Sequence, residues 1–173
     1  KLMFNIEKRL SNVYVESATE ELTKLKGPIV AITGSYAKTT TKEVLVQILN
    51  NQYNIFSTPN SFNNRLGIAR AINDSDMSKV DLAVVEMGTY GKGEIKEISS
   101  WLKPHIAVIT GIGPVHLERM KTYENILDAK SEIVEYAGAV VINGDDEFLI
   151  ERARTWLNTK QIIDCSIENG QAL

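Results

Sequence analysis

The chain has one cysteine, Cys165, among its 173 residues. A single thiol cannot form an internal disulfide, and it cannot build a zinc site from several cysteines. Disulfides persist in oxidising compartments, and the sequence also shows no signal peptide. The cysteine usage therefore predicts a cytoplasmic protein.

Positive charge and long apolar runs are also scarce. The chain has 19 lysines and arginines against 22 aspartates and glutamates, which gives a formal net charge of -3. This balance argues against a nucleic-acid-binding protein that relies on a broad basic surface. No apolar run approaches the roughly 20 residues that a membrane-spanning helix needs. We therefore expect no nucleic-acid partner and no membrane span, and the chain length suits one globular domain.

Short apolar runs alternate with helical patterns after Pro28. The candidate strands are 29–33, 53–57, 82–86, 105–110, 139–142 and 161–164, and the candidate helices are 39–50, 66–72, 94–102, 123–136 and 145–157. Apolar strands separated by helices are typical of a parallel sheet covered on both faces. The pattern predicts a three-layer α/β domain with a mainly parallel sheet of about six strands. Residues 1–26 are predicted to form a helical lead-in of one or two helices, and the central domain is predicted to span 27–173.

The segment from Ile29 to Lys42 reads IVAITGSYAKTTTK and is the most informative part of the chain. The apolar strand stops at a Gly-Ser turn, and a Lys-Thr-Thr run then opens an amphipathic helix. This layout is typical of a phosphate-binding loop (P-loop), in which N–H groups at a helix start face an anion, a lysine adds positive charge and a hydroxyl holds Mg²⁺. The predicted nucleotide-binding residues are Gly34, Ser35, Tyr36, Ala37, Lys38, Thr39 and Thr40.

Ala37 is unusual in this loop and leaves an alternative open. It stands before Lys38, where a phosphate-binding loop usually has glycine. A plain strand–turn–helix, with Ser35 as the helix cap and Lys38 exposed, also fits the pattern. In the nucleotide-binding interpretation, Lys38 neutralises the β- and γ-phosphates and Thr39 coordinates Mg²⁺. Thr40 adds a hydroxyl donor or only starts the helix.

Polar residues also follow three other predicted strands, and parallel sheets bind ligands beyond the carboxyl ends of their strands. Glu86 ends an apolar strand, where a carboxylate is costly unless it meets a cation such as Mg²⁺; a solvent-facing glutamate is the alternative. His116 follows a Gly-Ile-Gly-Pro turn and is a candidate ligand. A histidine in such a turn, taken by itself, is more often only hydrogen-bonded, and this is the alternative. Asn143 begins an Asn-Gly-Asp-Asp run. One interpretation of this run is a nucleotide contact, and the other is a turn followed by a helix cap.

Four further residues have weaker signals. Lys130 lies on a predicted helix and, by composition, is an ordinary surface lysine. Asn63 and Asn64 lie in the polar segment TPNSFNNR, which follows the second strand. This segment is rich in hydrogen-bonding amides, and a plain loop is the alternative interpretation. His105 begins a strand after a proline and is interpreted as structural.

Six segments together resemble the ATP-dependent Mur ligase family, and within it the central domain of MurF-type enzymes. They are ITGSYAKTTTKE, TPNSFNNRLG, VVEMGTYGKGEI, KPHIAVITGIGPVHLE, AKSEI and INGDDE, in the family's order and approximate spacing from about Pro28 to Phe148. The resemblance implies an ADP-forming amide ligase that uses ATP and Mg²⁺ in cell-wall precursor synthesis. A substrate carboxylate takes the γ-phosphate to give an acyl phosphate, and an amine then displaces phosphate.

The resemblance also implies a metal and phosphate site. Lys38 contacts the phosphates, Thr39 and Glu86 hold one Mg²⁺, and His116 helps to hold a second. Lys130 matches a family lysine that is often carbamylated and then binds metal. Catalytic roles are therefore expected for Lys38, His116 and Lys130.

Further contacts and partners follow from the same resemblance. Asn143 contacts the nucleotide, and Asn63 and Asn64 match a loop associated with substrate and nucleotide contacts. The partners are ATP and a carboxylate-bearing precursor. Family members carry an N-terminal domain for the UDP-linked substrate and a C-terminal domain for the incoming amine. Both are expected to be absent here, so that this chain is a central module or a fragment of a longer enzyme.

Other functions stay open, and Ala37 supports one of them, a nucleotide-binding module that has lost catalysis. The family places glycine at this position, and a methyl group at positive φ costs about 1 kcal/mol and would hinder the approach of a phosphate. The alternatives are a nucleotide-binding module with lost or weakened catalysis, a P-loop kinase or ATPase of another class, and a relative such as a folylpolyglutamate synthase. A kinase usually needs an arginine-bearing lid, and the scattered arginines of this chain weaken that hypothesis.

Overall fold

Six strands form one sheet in the computed structural model, which describes residues 2–59, 62–115 and 117–167. They are β1 (Ile29–Thr33), β2 (Ile55–Ser57), β3 (Leu82–Glu86), β4 (Ile106–Ile109), β5 (Ala139–Asn143) and β6 (Gln161–Cys165). Their order is β2-β3-β1-β4-β5-β6, and every neighbouring pair is parallel. The predicted α/β sheet is confirmed, and the described sheet is parallel throughout rather than mainly so.

Seven α-helices accompany the strands in the described residues. They are α1 (Leu2–Leu22), α2 (Lys38–Leu49), α3 (Arg65–Asn73), α4 (Glu94–Leu102), α5 (Leu117–Met120), α6 (Tyr123–Ser131) and α7 (Glu147–Arg154). Two 3₁₀ turns lie at Met77–Lys79 and Glu132–Val134. Within the described part of the chain, no helix combines the length and apolar character needed to cross a membrane.

The helices cover the two faces of the sheet unequally. α2 packs on one face, where its partly buried Leu45 and Val46 meet Val30, Ile32 and Val84. The other face carries the larger core, to which α1, α3, α4, α6 and α7 contribute. Crossover connections between parallel strands are right-handed. The connection from β1 to β2 runs toward the β2 edge of the sheet, whereas the later connections run toward the β6 edge. α2 therefore lies on the face opposite to the other crossover helices.

Two predicted helices end or begin differently in the structure. The predicted helix 123–136 is α6 only as far as Ser131, after which the chain tightens into the 3₁₀ turn Glu132–Val134. The predicted helix 145–157 begins two residues later, because Asp146 is its N-cap and accepts bonds from the first N–H groups of α7. Helix ends of this kind depend on cap geometry, which periodicity does not resolve.

Two further differences lie outside the crossover helices. The lead-in is one helix, α1, and its Val15 and Ala18 are buried in the main core. α5 is a single turn that the sequence pattern did not predict. The division of the chain at residues 26 and 27 stays a prediction.

The register of the sheet aligns the strand ends that precede the candidate site. Ile32 pairs with Glu86 across β1 and β3, and Thr33 pairs with Ile109 across β1 and β4. The carboxyl ends of β1, β3 and β4 therefore meet at one edge of the sheet. The loops that follow these strands are neighbours in space, as expected for the ligand side of a parallel sheet.

Candidate functional site

Gly34 turns the chain from β1 into the loop that precedes α2. A Cβ atom at this position would lie 2.0 Å from Thr110 Oγ1, so only glycine fits. The next residue, Ser35, ties the loop to the segment after β4, because its hydroxyl accepts a 2.9 Å hydrogen bond from Gly113 N. Ser35 is not the helix cap: Ala37 occupies the N-cap position of α2 and makes no side-chain capping bond. The alternative in which Ser35 caps the helix is therefore wrong.

Ala37 adopts a left-handed backbone conformation, with φ of 60° and ψ of 5°. This conformation is ordinary for glycine and costs an alanine about 1 kcal/mol. Ala37 O accepts a 2.8 Å bond from Thr41 N, which closes the first turn of α2. The N–H groups at the start of a helix have no acceptor within the helix. Ala37 therefore lies next to the N–H groups at the start of α2 that are available to bind an anion.

Two lysines donate to the same carbonyl oxygen in this loop. Lys38 Nζ and Lys130 Nζ each lie 2.9 Å from Gly34 O. Lys130 is only 3% exposed, so its interpretation as a surface lysine is wrong. Burial lowers the pKa of Lys130 to about 8, and the nearby charge of Lys38 contributes. Burial also lowers the pKa of Lys38, with Glu86 acting in the opposite direction.

A polar cavity of about 160 Å³ opens beside these lysines. Its lining combines the loop after β1 with the loop after β3 and with α6. The lining residues are Gly34, Ser35, Lys38, Asn63, Gly88, Thr89, Tyr90, Val115 and Lys130. Two ammonium groups that share one neutral acceptor leave net positive charge in a partly enclosed space. The cavity therefore favours an anionic ligand.

Glu86 is buried next to this cavity, at 1% exposure, so the solvent-facing alternative is wrong. Its Oε2 accepts a 2.8 Å hydrogen bond from Thr39 Oγ1, and its Oε1 accepts a 3.0 Å bond from Asn63 Nδ2. Lys42 Nζ lies 3.6 Å from Oε2 and donates a 2.8 Å bond to Thr58 O. A lysine, a hydroxyl and an amide thus surround one carboxylate.

The donor set around Glu86 fits a magnesium ion that is shared with a ligand. Mg²⁺ prefers oxygen donors, and proteins usually bind it through one or two carboxylates together with phosphate oxygens and water. Thr39 and Glu86 supply a hydroxyl and a carboxylate at the helix start. Over residues 2–59, 62–115 and 117–167, no group of three or more His, Cys, Asp and Glu side chains is arranged to hold a metal. The hydroxyl of Thr39 and the carboxylate of Glu86 suit a cation whose remaining ligands are phosphate oxygens and water.

Asn143 lies in a second, more apolar groove of about 260 Å³ at the ends of β4 to β6. Ala37 and Thr41 form its opposite wall. Asn143 Oδ1 accepts a 3.0 Å bond from Asp145 N, and Asp146 caps α7. The turn-and-cap interpretation of this segment is confirmed. A nucleotide contact by Asn143 stays a prediction, and its place opposite Ala37 in the groove is compatible with one.

Other predicted site residues have separate surroundings. Asn64 caps α3 by accepting a 2.8 Å bond from Gly67 N, and it is not among the residues that line the polar cavity. Tyr36 and Thr40 are exposed at the start of α2. Asn63, by contrast, both lines the cavity and bonds Glu86. The two neighbouring asparagines therefore have different structural positions.

The two histidines also differ. His105 Nδ1 accepts a 3.1 Å hydrogen bond from Ile29 N, which supports its structural interpretation. His116 lies outside the described residues, so its predicted metal-binding role stays a prediction.

Polar residues that the sequence pattern did not single out complete the site. Six buried polar or charged residues lie around the ends of β1 and β3: Thr33, Lys42, Thr58, Glu86, Thr89 and Lys130. Four of them, Thr33, Lys42, Thr58 and Thr89, are not among the predicted site residues. A signal for Lys42 is present, because it lies four residues after Lys38 and so shares a face of α2 with it. Thr33, Thr58 and Thr89 have no comparable signal.

Fold and site together define the class of protein. It is a three-layer, parallel α/β domain whose buried polar residues collect beyond the carboxyl ends of the strands, chiefly around the loop after β1. A family model for the Mur ligase middle domain matches residues 32–173. The chain belongs to this family, and the resemblance found in its motifs is confirmed.

Individual relatives agree with this assignment. The UDP-N-acetylmuramoyl-tripeptide–D-alanyl-D-alanine ligase of Bacillus subtilis is 35% identical over 131 residues, which are 74% of this chain and 28% of the relative. The enzyme of the same name from Rickettsia prowazekii is 41% identical over 109 residues, 62% of this chain and 24% of the relative. The crystal structure of MurF ligase from Thermotoga maritima in complex with ADP is 29% identical with a TM-score of 0.82, over 91% of this chain and 37% of that one. The chain thus spans less than a third of the length of these curated relatives.

Replacing Ala37 by glycine should raise the free energy of unfolding by about 0.5–1 kcal/mol, because relief of the left-handed strain exceeds the added entropy of the unfolded chain. Chemical denaturation measures the change. Ala71→Gly inside α3 is a contrasting control and should lower the free energy of unfolding by about 1 kcal/mol or more, because glycine is unfavourable within a helix and a buried methyl group is lost. A loss of stability in Ala37→Gly comparable to that of the control would contradict a strained loop.

Proposed function

We propose that this chain is the ATP-binding central module of an ADP-forming amide ligase in cell-wall precursor synthesis. The observation that carries the proposal is the meeting of two lysines at Gly34 O beside the buried Thr39–Glu86 pair. Acyl-phosphate formation requires that charge on phosphate and carboxylate oxygens be neutralised. Membership of the Mur ligase middle domain family supports the same function. The ADP bound in the Thermotoga maritima relative supports use of the nucleotide.

Lys38, Thr39, Glu86 and Asn63 each have a role in this proposal. The N–H groups at the start of α2 and the ammonium of Lys38 would bind and neutralise the β- and γ-phosphates of ATP. Thr39 and Glu86 would hold Mg²⁺, which supplies Lewis-acid stabilisation of phosphoryl charge when bound. Asn63 fixes the Glu86 carboxylate through its 3.0 Å bond to Oε1. These contacts would place the γ-phosphate at the polar cavity.

Lys130 is proposed to carry a carbamate. A lowered pKa of about 8 leaves part of the amine neutral near neutral pH, and only the neutral amine attacks CO₂. The new N–C bond converts the amine to N-carboxylate, and one proton is released to solvent. The product replaces a cation with an anion beside Lys38, which relieves the repulsion between two ammonium groups. His116 is proposed to assist with a second metal ion.

The partners of the reaction are part of the proposal. The acyl substrate would be a carboxylate-bearing precursor of the kind that the relatives' names describe, a UDP-linked muramoyl tripeptide, and D-alanyl-D-alanine would be the amine. Binding of both is assigned to further domains of a longer enzyme, with Asn64 in the loop nearest the substrate. The proposal keeps the cytoplasmic location predicted from cysteine usage.

A second candidate is a nucleotide-binding module with weakened catalysis. The left-handed Ala37 favours it, because the methyl group occupies a position that suits glycine and also forms part of the groove that contains Asn143.

Isothermal titration calorimetry with MgATP tests nucleotide binding. The chain should bind, Ala37→Gly should bind several-fold more tightly, and Lys38→Ala should bind at least about ten-fold more weakly because a charge-assisted phosphate contact is lost. Lys79→Ala, which removes an exposed lysine of the 3₁₀ turn, should match the unchanged chain. Unchanged affinity in Lys38→Ala, or no binding by either the chain or Ala37→Gly, would reject the phosphate-loop assignment.

Labelling with ¹³C-bicarbonate followed by NMR tests the carbamate. A carbamate signal should appear and should grow as the pH rises from 6 to 8, because the neutral fraction of Lys130 increases. Lys130→Met should lose the signal, whereas Lys79→Met should keep it. A spectrum without a Lys130-dependent signal across this pH range would remove the proposed modification.

Trapping with hydroxylamine tests the reaction class. The full-length enzyme that contains this domain should yield an acyl hydroxamate from ATP, the UDP-linked tripeptide and hydroxylamine, since an acyl phosphate is attacked by the added nucleophile. Omission of ATP is the control and should give no product. Transfer of phosphate to a hydroxyl acceptor, with no hydroxamate, would favour a kinase instead.

A further inference from the structure

Helix α2 buries a lysine. Of its twelve residues, all of them described, Lys42 is the one that is buried, at 3% exposure. An ammonium removed from water is costly unless hydrogen bonds and an opposite charge compensate it. Lys42 Nζ donates to Thr58 O at 2.8 Å and lies 3.6 Å from Glu86 Oε2. The helix therefore holds a compensated charge directly behind the candidate metal site.

The spacing along α2 explains how Lys42 reaches this position. It lies four residues after Lys38 and three after Thr39, so the three side chains share one face of the helix. Thr39 Oγ1 and Lys42 Nζ approach the same carboxylate oxygen, Glu86 Oε2. The two hydrogen-bond donors to Glu86, Thr39 and Asn63, are neutral. Lys42 is the lysine that forms an ion pair with this carboxylate, whereas Lys38 acts on it at longer range.

We propose that Lys42 is the resident counter-ion of Glu86 and makes divalent-cation binding depend on bound nucleotide. This proposal rests on the proposed nucleotide site and describes how metal binding at that site is regulated. The Lys42–Glu86 pair carries no net charge, so a free divalent cation gains little from Glu86 and is repelled by Lys42. Phosphate oxygens supply the missing negative charge. The cation therefore binds with the nucleotide rather than before it.

Lys42 is a positioning residue in this account. Together with Thr39 and Asn63, it holds both oxygens of Glu86 in place when no cation is bound. The carboxylate then needs no rearrangement of the surrounding helix when a metal–nucleotide complex arrives.

Titration with Mn²⁺, followed by electron paramagnetic resonance in the absence of nucleotide, tests the role of the charge. Lys42→Met should bind free Mn²⁺ about ten-fold or more tightly than the unchanged chain, because a nearby positive charge is removed. Lys42→Arg keeps the charge and should behave like the unchanged chain. Lys79→Met removes an exposed lysine elsewhere and should also leave the affinity unchanged. The double variant Lys42→Met/Glu86→Gln should lose the gain.

The unchanged chain provides a second measurement that does not depend on the folding of a variant. Its affinity for Mn²⁺, after subtraction of the Mn²⁺ that the nucleotide binds by itself, should be at least about ten-fold higher with a non-hydrolysable ATP analogue than without nucleotide, since the phosphates add negative charge. Equal affinities in the two conditions would overturn the proposal. So would an unchanged or weaker affinity in Lys42→Met that circular dichroism shows to be folded. Failure of the chain and of Ala37→Gly to bind any nucleotide counts instead against the proposed function.

Discussion

The buried carboxylate of Glu86 is the group on which the arrangement of this edge of the sheet depends. Water does not reach it, so protein groups must satisfy its oxygens and balance its charge. The partners of the carboxylate come from two separate segments: α2 supplies the hydroxyl donor Thr39 and the cation Lys42, and the loop before α3 supplies the amide donor Asn63. The pairing of Ile32 with Glu86 places this carboxylate beside the end of β1. Because both segments contact Glu86, a change in either segment should also affect the loop after β1 through this side chain.

The carbonyl of Gly34 organises the positive side of the same site. It accepts bonds from Lys38 and Lys130, which lie on α2 and α6 and are far apart in the sequence. Positive charge thus gathers at the cavity, while the buried carboxylate of Glu86 lies beside it and is paired with Lys42. This separation suits a ligand that brings an anion and a cation together, as a metal-bound nucleotide does. Ala37 is the one strained element of this arrangement, because its left-handed backbone is a conformation that glycine adopts without cost.

The sheet and the loop after β1 could be predicted from local pattern, but the burial of polar residues could not. Apolar β-branched runs identify strands because the apolar residues that cause a strand to be buried belong to the strand itself. Lys42 and Lys130, in contrast, are buried by elements that are remote in the sequence, and a lone lysine in a helix has the composition of a surface residue. Helix ends were also missed where a cap decides them, as Asp146 does for α7. Asn64 was grouped with its neighbour Asn63, although one caps a helix and the other bonds Glu86.

We propose that the loop after β1 binds nucleotide phosphates while Thr39 and Glu86 bind the accompanying metal. A crystal structure of this chain with Mg²⁺ and a non-hydrolysable ATP analogue is the sharpest test. The β- and γ-phosphates should lie at the start of α2 within hydrogen-bonding distance of Lys38, and a cation should contact Thr39 Oγ1 and Glu86. A nucleotide bound elsewhere on the chain, with no phosphate at this loop, would refute the proposed site.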